Sequence, residues 1–383
     1  MTGSSTDDIA AAQPPSSGAD TSTTRSVAVE TPPPRHKGRV PYPAVLLVLT
    51  VLLLAAMLLG LAVGSVSLPL EKVWYALLDQ VVPGADHSDT LGTAAAIVTE
   101  VRAPRVLLGG VVGAGLAVVG AALQALVRNP LADPYLLGIS SGASLGAVLV
   151  LASGATILGM VATPMLAAFL GAMATLALVY TLARTGGRMT TIRLVLAGVA
   201  VSYVLSALTD LLLTLSGDPQ LLQSVRFWTL GSLAGAEWDG LVLPAGVVLV
   251  GTAVLISQAR SLNLLFAGEE AAGTLGLDVH RFRIGMFVLV SIMTAVMVAV
   301  SGAIGFVGLM IPHGVRIVVG ADNRRVLPAS ALLGAAFLIT ADIAARTVAA
   351  PQEIQLGVLT ALCGGPFFVW LLRRQARKER GAG

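Results

Sequence analysis

The sequence predicts an all-α polytopic membrane bundle, and three observations carry that prediction. Hydrophobic residues make up 55% of the chain and charged residues 12%, with a mean hydropathy of +0.85. A water-soluble fold has nowhere to put so much apolar surface. Ten apolar runs follow one another after residue 43. Most come close to the roughly 20 residues a helix needs to cross the hydrocarbon core with its backbone hydrogen bonds closed internally. When the runs are threaded back and forth across a bilayer, the basic residues fall almost entirely on one side.

The spans are placed near 44–63, 103–127, 134–153, 160–183, 192–216, 241–258, 284–303, 304–320, 326–349 and 354–372, the eighth being short. Residues 1–40, rich in Ser, Thr, Pro and Asp without apolar periodicity, read as a disordered cytoplasmic tail. The bundle itself occupies 41–375, and 376–383 reads as a basic cytoplasmic tail. The run 44–63 is longer than the ~7–15-residue core of a secretory signal and is expected as an uncleaved first span. With both termini in the cytoplasm, only Lys72, Arg102, Arg105, Arg226 and Arg346 of the 24 Lys and Arg residues remain outside. That is the asymmetry of the positive-inside rule. Three connectors are long: 64–102 and 217–240 outside, and 259–283 inside. The inner one contains Glu269-Glu-Ala-Ala-Gly-Thr-Leu-Gly276, suited to short helices on the cytoplasmic face. It is either a solvated connector or a platform for a partner.

The 42 glycines and the low aromatic share (5%) suit close helix packing. Gly138-Ile-Ser140-Ser-Gly142 fits the nucleophile-elbow pattern. The four-residue spacing of Gly138, Gly142 and Gly146, like that of Gly109 and Gly113, instead reads as a small-residue packing face. Cys363, the single cysteine, is expected as a buried structural thiol, and no Cys/His cluster has metal-ligand spacing. The chain has three lysines, none following a glycine, so it holds no phosphate-binding P-loop. Any ATP hydrolysis therefore belongs to another polypeptide. Pro134-Tyr-Leu-Leu-Gly138 and Pro328-Ala-Ser-Ala-Leu-Leu-Gly334 form a faint internal echo, each at the opening of an expected span.

Charges within spans are costly unless paired or wet. Asp342 and Arg346 are four apart and able to pair on one helix face. Asp210 has no cation at helical spacing and faces either a water-filled cavity or a hydrogen-bonded packing site. His313, after Pro312, reads as a polar helix end. Arg102-Ala-Pro104-Arg105 sets two guanidiniums at the outer mouth of the second span. They read as interfacial anchors or as docking points for carboxylates of another protein.

Taken in order, several segments resemble the FecCD-type permeases of ABC importers, which carry ferric siderophores, haem and cobalamin. They are Arg102-Ala-Pro-Arg105, Gln124-Ala-Leu-Val-Arg-Asn129-Pro-Leu-Ala-Asp-Pro134, Leu137-Gly-Ile-Ser-Ser-Gly-Ala143, Leu196-Ala-Gly198, Trp228-Thr-Leu-Gly-Ser232, Gly305-Phe-Val-Gly-Leu-Met-Ile-Pro-His313 and Ala341-Asp342. The resemblance spans residues 44–372. It implies a cobalamin-importer-permease-like bundle of ten helices in a bacterial inner membrane, paired with a second, usually identical, permease subunit. Two cytoplasmic ATPases would dock on 259–283 through Glu269, Ala271, Leu275 and Gly276, and an extracytoplasmic substrate-binding protein would dock outside. ATP and Mg would be bound by the ATPase and no cofactor by this chain; nucleic acid is not an implied partner.

By the same resemblance, Arg102, Arg105 and Arg346 meet carboxylates of the binding protein, and Asn129, Leu131, Thr190 and Thr191 narrow the cytoplasmic end of the pathway. The family's Glu-x-Pro-x-Gly appears as Glu353-Ile-Gln355-Leu-Gly357 and its Asp-His-Arg as Asp322-Asn323-Arg324. Asp210 and Gln355 become pathway candidates. Asp210 lacks an acidic counterpart in the cobalamin permease, which turns the expectation towards ferric siderophores. Haem or cobalamin is the alternative cargo. An ion-coupled secondary carrier using Asp210 or Asp342, and more distantly a serine hydrolase using Ser140, are the rival classes.

Overall fold

The computed structural model describes residues 41–64, 66–82, 91–153, 156–157, 160–161, 163–185, 188–189 and 191–380. The 1–40 tail and Thr190 lie outside the described residues.

Among the described residues eight helices are long and apolar enough to cross a membrane: α1 (Tyr42–Ala62), α3 (Thr93–Val127), α5 (Pro164–Ala183), α6 (Thr191–Ser216), α8 (Trp238–Ser257), α11 (Val279–Ser301), α13 (Asn323–Thr347) and α14 (Leu356–Arg380). Two shorter apolar helices, α4 (Ile139–Ser153) and α12 (Val307–Val319), complete ten. At 15 and 13 residues they reach roughly 20 Å at 1.5 Å per residue. Each is led in by non-α backbone: a 3₁₀ turn at Pro134–Leu137 before α4, and Phe306 in the left-handed region (φ 68°) before α12. The ten-span expectation holds.

The connectors hold more structure than expected. α2 (Leu70–Val81) and α7 (Pro219–Thr229) lie in the two long loops expected outside. In the third, α9 (Ala259–Ala267) and α10 (Glu269–Thr274) are the short helices its sequence suits. Two-residue hairpins, β1–β2 (Thr156–Ile157 with Met160–Val161) and β3–β4 (Arg184–Thr185 with Arg188–Met189), flank α5. The second span begins at Thr93 rather than 103, and its backbone widens to a π-helix over Ile97–Arg102. The last helix continues through Arg380, so 376–380 is helical. Pro328 lies inside α13, whereas Pro134 opens a 3₁₀ turn. The faint repeat therefore has no structural counterpart.

α3 is the axis of the bundle. Its most apolar stretch is 78% buried, against 17–28% for α1, α5, α6, α8 and α14. It packs most extensively on α13 and also touches α8, α11 and α12. Lipid is as apolar as the helix faces, so close packing rather than water exclusion holds such helices together. Gly113 and Gly334 show how close that packing is: a Cβ on Gly334 would fall 2.5 Å from the Ala117 Cβ and overlap the Gly113 carbonyl. The expected small-residue face of α4 behaves likewise. A Cβ on Gly142 would strike Thr175 and the Gly171 carbonyl of α5, which places the Gly138–Gly142 motif in packing.

The thiol of Cys363 is exposed, contrary to the expected burial. Only one face of α14 is packed, and Leu362 (66% exposed) and Trp370 lie on its open side.

Substituting Gly334 by valine should cost about 1–3 kcal/mol, because neither backbone can withdraw. The detergent-solubilised protein should then unfold at a lower temperature. Gly314→Ala, where a Cβ meets nothing within 4 Å, should not lower the unfolding temperature, since Ala favours a helix interior over Gly by about 1 kcal/mol.

Candidate functional site: two charged ends and a polar wall

At the end of the bundle carrying the C-termini of α1 and α13, five ionisable side chains close into one cluster. Arg105 Nε donates to both carboxylate oxygens of Asp342 at 3.0 and 3.1 Å. Its terminal nitrogens form a fork on Glu353, Nη1 to Oε1 at 3.0 Å and Nη2 to Oε2 at 2.9 Å. Arg346 Nε approaches Asp342 Oδ2 at 3.0 Å, which is the pairing expected from their spacing. Its Nη2 donates to the Gly60 carbonyl of α1.

Three guanidiniums against two carboxylates leave one cation in excess. Arg102 places that charge on the last carbonyls of α1, with Nη1 donating to Leu61 O (2.7 Å) and Ala62 O (2.8 Å) and Nη2 to Val66 O. A cation at a helix C-terminus meets unsatisfied carbonyls and the negative end of the helix dipole.

This corrects the expected presentation of the arginines. Arg102, Arg105 and Arg346 are 4%, 7% and 5% exposed, and Asp342 is 2%. Spacing along a helix gives depth, but here the guanidiniums turn inward beneath the α1 terminus. Glu353, with 34% of its side chain exposed, is the open edge of the cluster. Sequence reasoning noted Glu353 only within a motif; a carboxylate beside the one acidic residue of α13 was the available signal.

The opposite end is organised around Arg128 and α10. Arg128 caps α3 in the left-handed conformation (φ 54°). Its Nη2 meets Glu269 Oε1 at 3.0 Å, and Arg283 of α11 meets the same oxygen at 2.9 Å. Directly after Arg128, Asn129 Oδ1 accepts from Leu131 N at 2.9 Å and rigidifies that turn. Thus the first residue of α10 is tied to the loop holding Asn129 and Leu131. Thr191 begins α6. α9 is pinned in turn by Asn263, whose Nδ2 donates to Asp322 and whose Oδ1 accepts from Asn323 N and Nδ2. α10 buries Ala272 and leaves Ala271, Leu275 (68%) and Gly276 open.

Between α3 and α4, Asp133 is buried and caps the 3₁₀ turn by accepting from Tyr135 N at 2.8 Å. Burial raises its carboxyl to about 6, more than that hydrogen bond lowers it. Asp210 is exposed on α6 and lines a polar cavity with Arg226. Gln355 is half-buried just before α14 and is not among the residues lining that cavity. The two pathway candidates therefore do not meet there. His313 lies in the middle of α12 rather than at a helix end, and it contacts Phe367 edge to face. Among the described residues no three His, Cys, Asp or Glu side chains converge to hold a metal ion.

A ten-span bundle of this topology, with charge clusters at its two ends and little charge between, is a multi-pass membrane protein. A solved ABC transporter assigned to the metal-chelate type, in an inward-facing conformation, superposes with a TM-score of 0.75 at 34% identity, over 87% of this chain and 100% of that one. The chain belongs to the FecCD transport family, whose model matches residues 52–374.

Its relatives include the cobalamin import system permease protein BtuC of Halobacterium salinarum, 46% identical over 73% of this chain and 74% of that one. The hemin transport system permease protein HmuU of Yersinia pestis is 41% identical over 90% and 99%. The Fe(3+) dicitrate transport system permease protein FecD of Escherichia coli is 40% identical over 86% and 98%.

The raised Asp133 carboxyl makes a signed prediction. A folded value near 6 against ~3.9 unfolded means the native state binds more protons between those pH values. The contribution of Asp133 to stability is therefore most favourable below pH 4 and falls by about 2–3 kcal/mol by pH 7. Asp133→Asn keeps the acceptor and removes the titration. The variant should gain on wild type as pH rises from 4 to 7, read as the difference between their unfolding temperatures.

Proposed function

We propose that this chain is the membrane permease of a binding-protein-dependent ABC importer for ferric siderophores. It sits in a bacterial inner membrane with the α10 end in the cytoplasm, as the distribution of basic residues supports. ATP with its Mg is bound and hydrolysed by two partner ATPases, and cargo passes inward between two permease subunits, identical in the simplest assembly.

The observation that carries this reading is α10. A six-residue helix held by Asn263 through α9 and by Arg128 and Arg283 through Glu269 presents Ala271, Leu275 and Gly276 outward. An isolated 68%-exposed leucine at the tip of a fixed helix suits insertion into a partner surface. Motion imposed on α10 reaches Arg128, hence the Asn129–Leu131 turn, without crossing the bundle. Those residues, with Thr190 and Thr191, form the cytoplasmic gate in this reading.

The two-subunit arrangement is supported by α6. It leaves Tyr203 (76% exposed), Val204 and Leu215 (73%) open beside the charged Asp210. Lipid would penalise that carboxylate, so this face meets water or a second chain. Binding-protein docking belongs to the opposite end, where carboxylates of the incoming protein would compete with Glu353 for Arg105 and reach Arg102 and Arg346 beneath it. Haem and cobalamin form the second reading of the cargo, favoured by the named activities of relatives. An ion-coupled carrier using Asp342 loses support, because that carboxylate is held between Arg105 and Arg346.

Proteoliposomes holding this chain, its cognate ATPase and its binding protein test the reading, with ferric siderophore, haem and cobalamin offered in parallel. Uptake of ferric siderophore that needs both ATP and the binding protein is expected. Leu275→Asp should abolish association with the ATPase. Uptake driven by an ion gradient without ATP would overturn the proposal.

A further inference from the structure

The cavity beside Asp210 is polar, unlike the neighbouring cavity between α5, α6 and α11 and the one between α1, α12 and α13, which are lined mainly by aliphatic side chains. It measures about 450 Å³ and lies between α4, α6 and α7. Ser140 and Ser144 from α4, Ser206, Thr209 and Asp210 from α6, and Arg226 from α7 supply its polar wall. Ser206 donates to Ser141 at 3.3 Å across the α4–α6 seam, so both helices contribute hydroxyls at one level. Thr209 donates its proton to the Leu205 carbonyl, which leaves its oxygen as an acceptor. Ser144 is 6% exposed and makes no hydrogen bond within the described chain. Asp210 and Arg226 form no ion pair among the described residues, and both are exposed.

A wall in which the spanning helix α6 carries a carboxylate and α7 a guanidinium, neither ion-paired among the described residues, with serine hydroxyls beside them, is costly to present to lipid. Nor would the surface suit a ligand with an apolar periphery, which would strip water from two charges and return nothing to them. The arrangement fits a hydrophilic metal chelate that brings both halves of the complement. An anionic oxygen would meet Arg226 in a charge-assisted fork, and a hydroxyl or amide N–H would meet Asp210. The serines at the start of α4 add hydroxyl partners for further oxygens.

We propose that this α4–α6–α7 cavity is a cargo subsite for oxygen-donor chelates bearing a carboxylate, and that Arg226 and Asp210 set its preference. The inference rests on the importer reading and deepens it, since it names the chemistry accepted along the Asp210 wall.

The reconstituted importer tests it with ferric dicitrate, a neutral ferric trihydroxamate and haem as probes. ATP-dependent uptake of ferric dicitrate by the unsubstituted protein is expected. Arg226→Gln should raise its KM about tenfold, the effect of one charge-assisted contact. Ser144→Ala should raise it about threefold, and the KM for the trihydroxamate should move less than twofold in Arg226→Gln.

A second measurement does not depend on transport. In a Cys363→Ser background, Ser206→Cys should react with a charged, membrane-impermeant methanethiosulfonate, and ferric dicitrate should slow that reaction. Wild-type KM in both Arg226→Gln and Asp210→Asn, or ATP-dependent uptake restricted to haem, would overturn the subsite while leaving the importer reading intact. An unreactive Ser206→Cys would overturn it as well. Absence of ATP-dependent uptake of every probe would instead count against the importer reading.

Discussion

The contact between Arg105 and Asp342 is the interaction on which the rest of this structure depends. It joins the central helix α3 to α13 at 2.9–3.1 Å with both partners almost fully buried. Desolvating two charges is costly, and a buried pair is stable only when its remaining hydrogen-bonding capacity is filled. Here Arg346 takes the other face of Asp342, Glu353 takes the fork of Arg105, and Arg102 carries the surplus cation to the carbonyls ending α1. Four segments meet at this cluster: α1, α3, α13 and the turn before α14. The buried charge therefore fixes a vertex of the bundle.

From that vertex the helices run to an end of different character. There the ion pairs are more exposed: the Glu269 side chain is 46% accessible and Arg128 44%. Exposed pairs contribute little to stability and break readily. One end is thus a buried lock and the other a surface clamp joining α10 to the loop after α3. The buried packing of α3 lies between them, with close approaches such as Gly113 on Gly334. The outer helices α1, α5, α6 and α14 keep large open faces.

The ten spans, the special character of 259–283 and the Asp342–Arg346 pair were all legible in the sequence, because hydropathy and helical spacing report them directly. Three features were not. The direction of Arg102 depends on a π-helical turn at Ile97–Arg102, which no residue pattern marks. The exposure of Cys363 depends on which face of α14 finds a neighbour, and an all-round apolar helix carries little information about its own rotation. The polar wall of α4 is hidden in the sequence because the glycine spacing around Gly142 signals packing, and nothing marks the serines on the adjoining face. Gly142 does pack on α5 while Ser140 and Ser144 face the cavity, so both properties occupy one helix on different faces.

A double-mutant cycle on Arg105 and Asp342 tests the lock most directly. Arg105→Met, Asp342→Leu and the combined variant would be compared by unfolding in detergent. If the pair holds the vertex, Arg105→Met leaves Asp342 on Arg346 alone and Asp342→Leu leaves Arg346 without a carboxylate, and the double variant loses less than the sum by about 2 kcal/mol or more. Effects that add within about 0.5 kcal/mol would show that the two residues act independently, and the bundle would then not be anchored at this point.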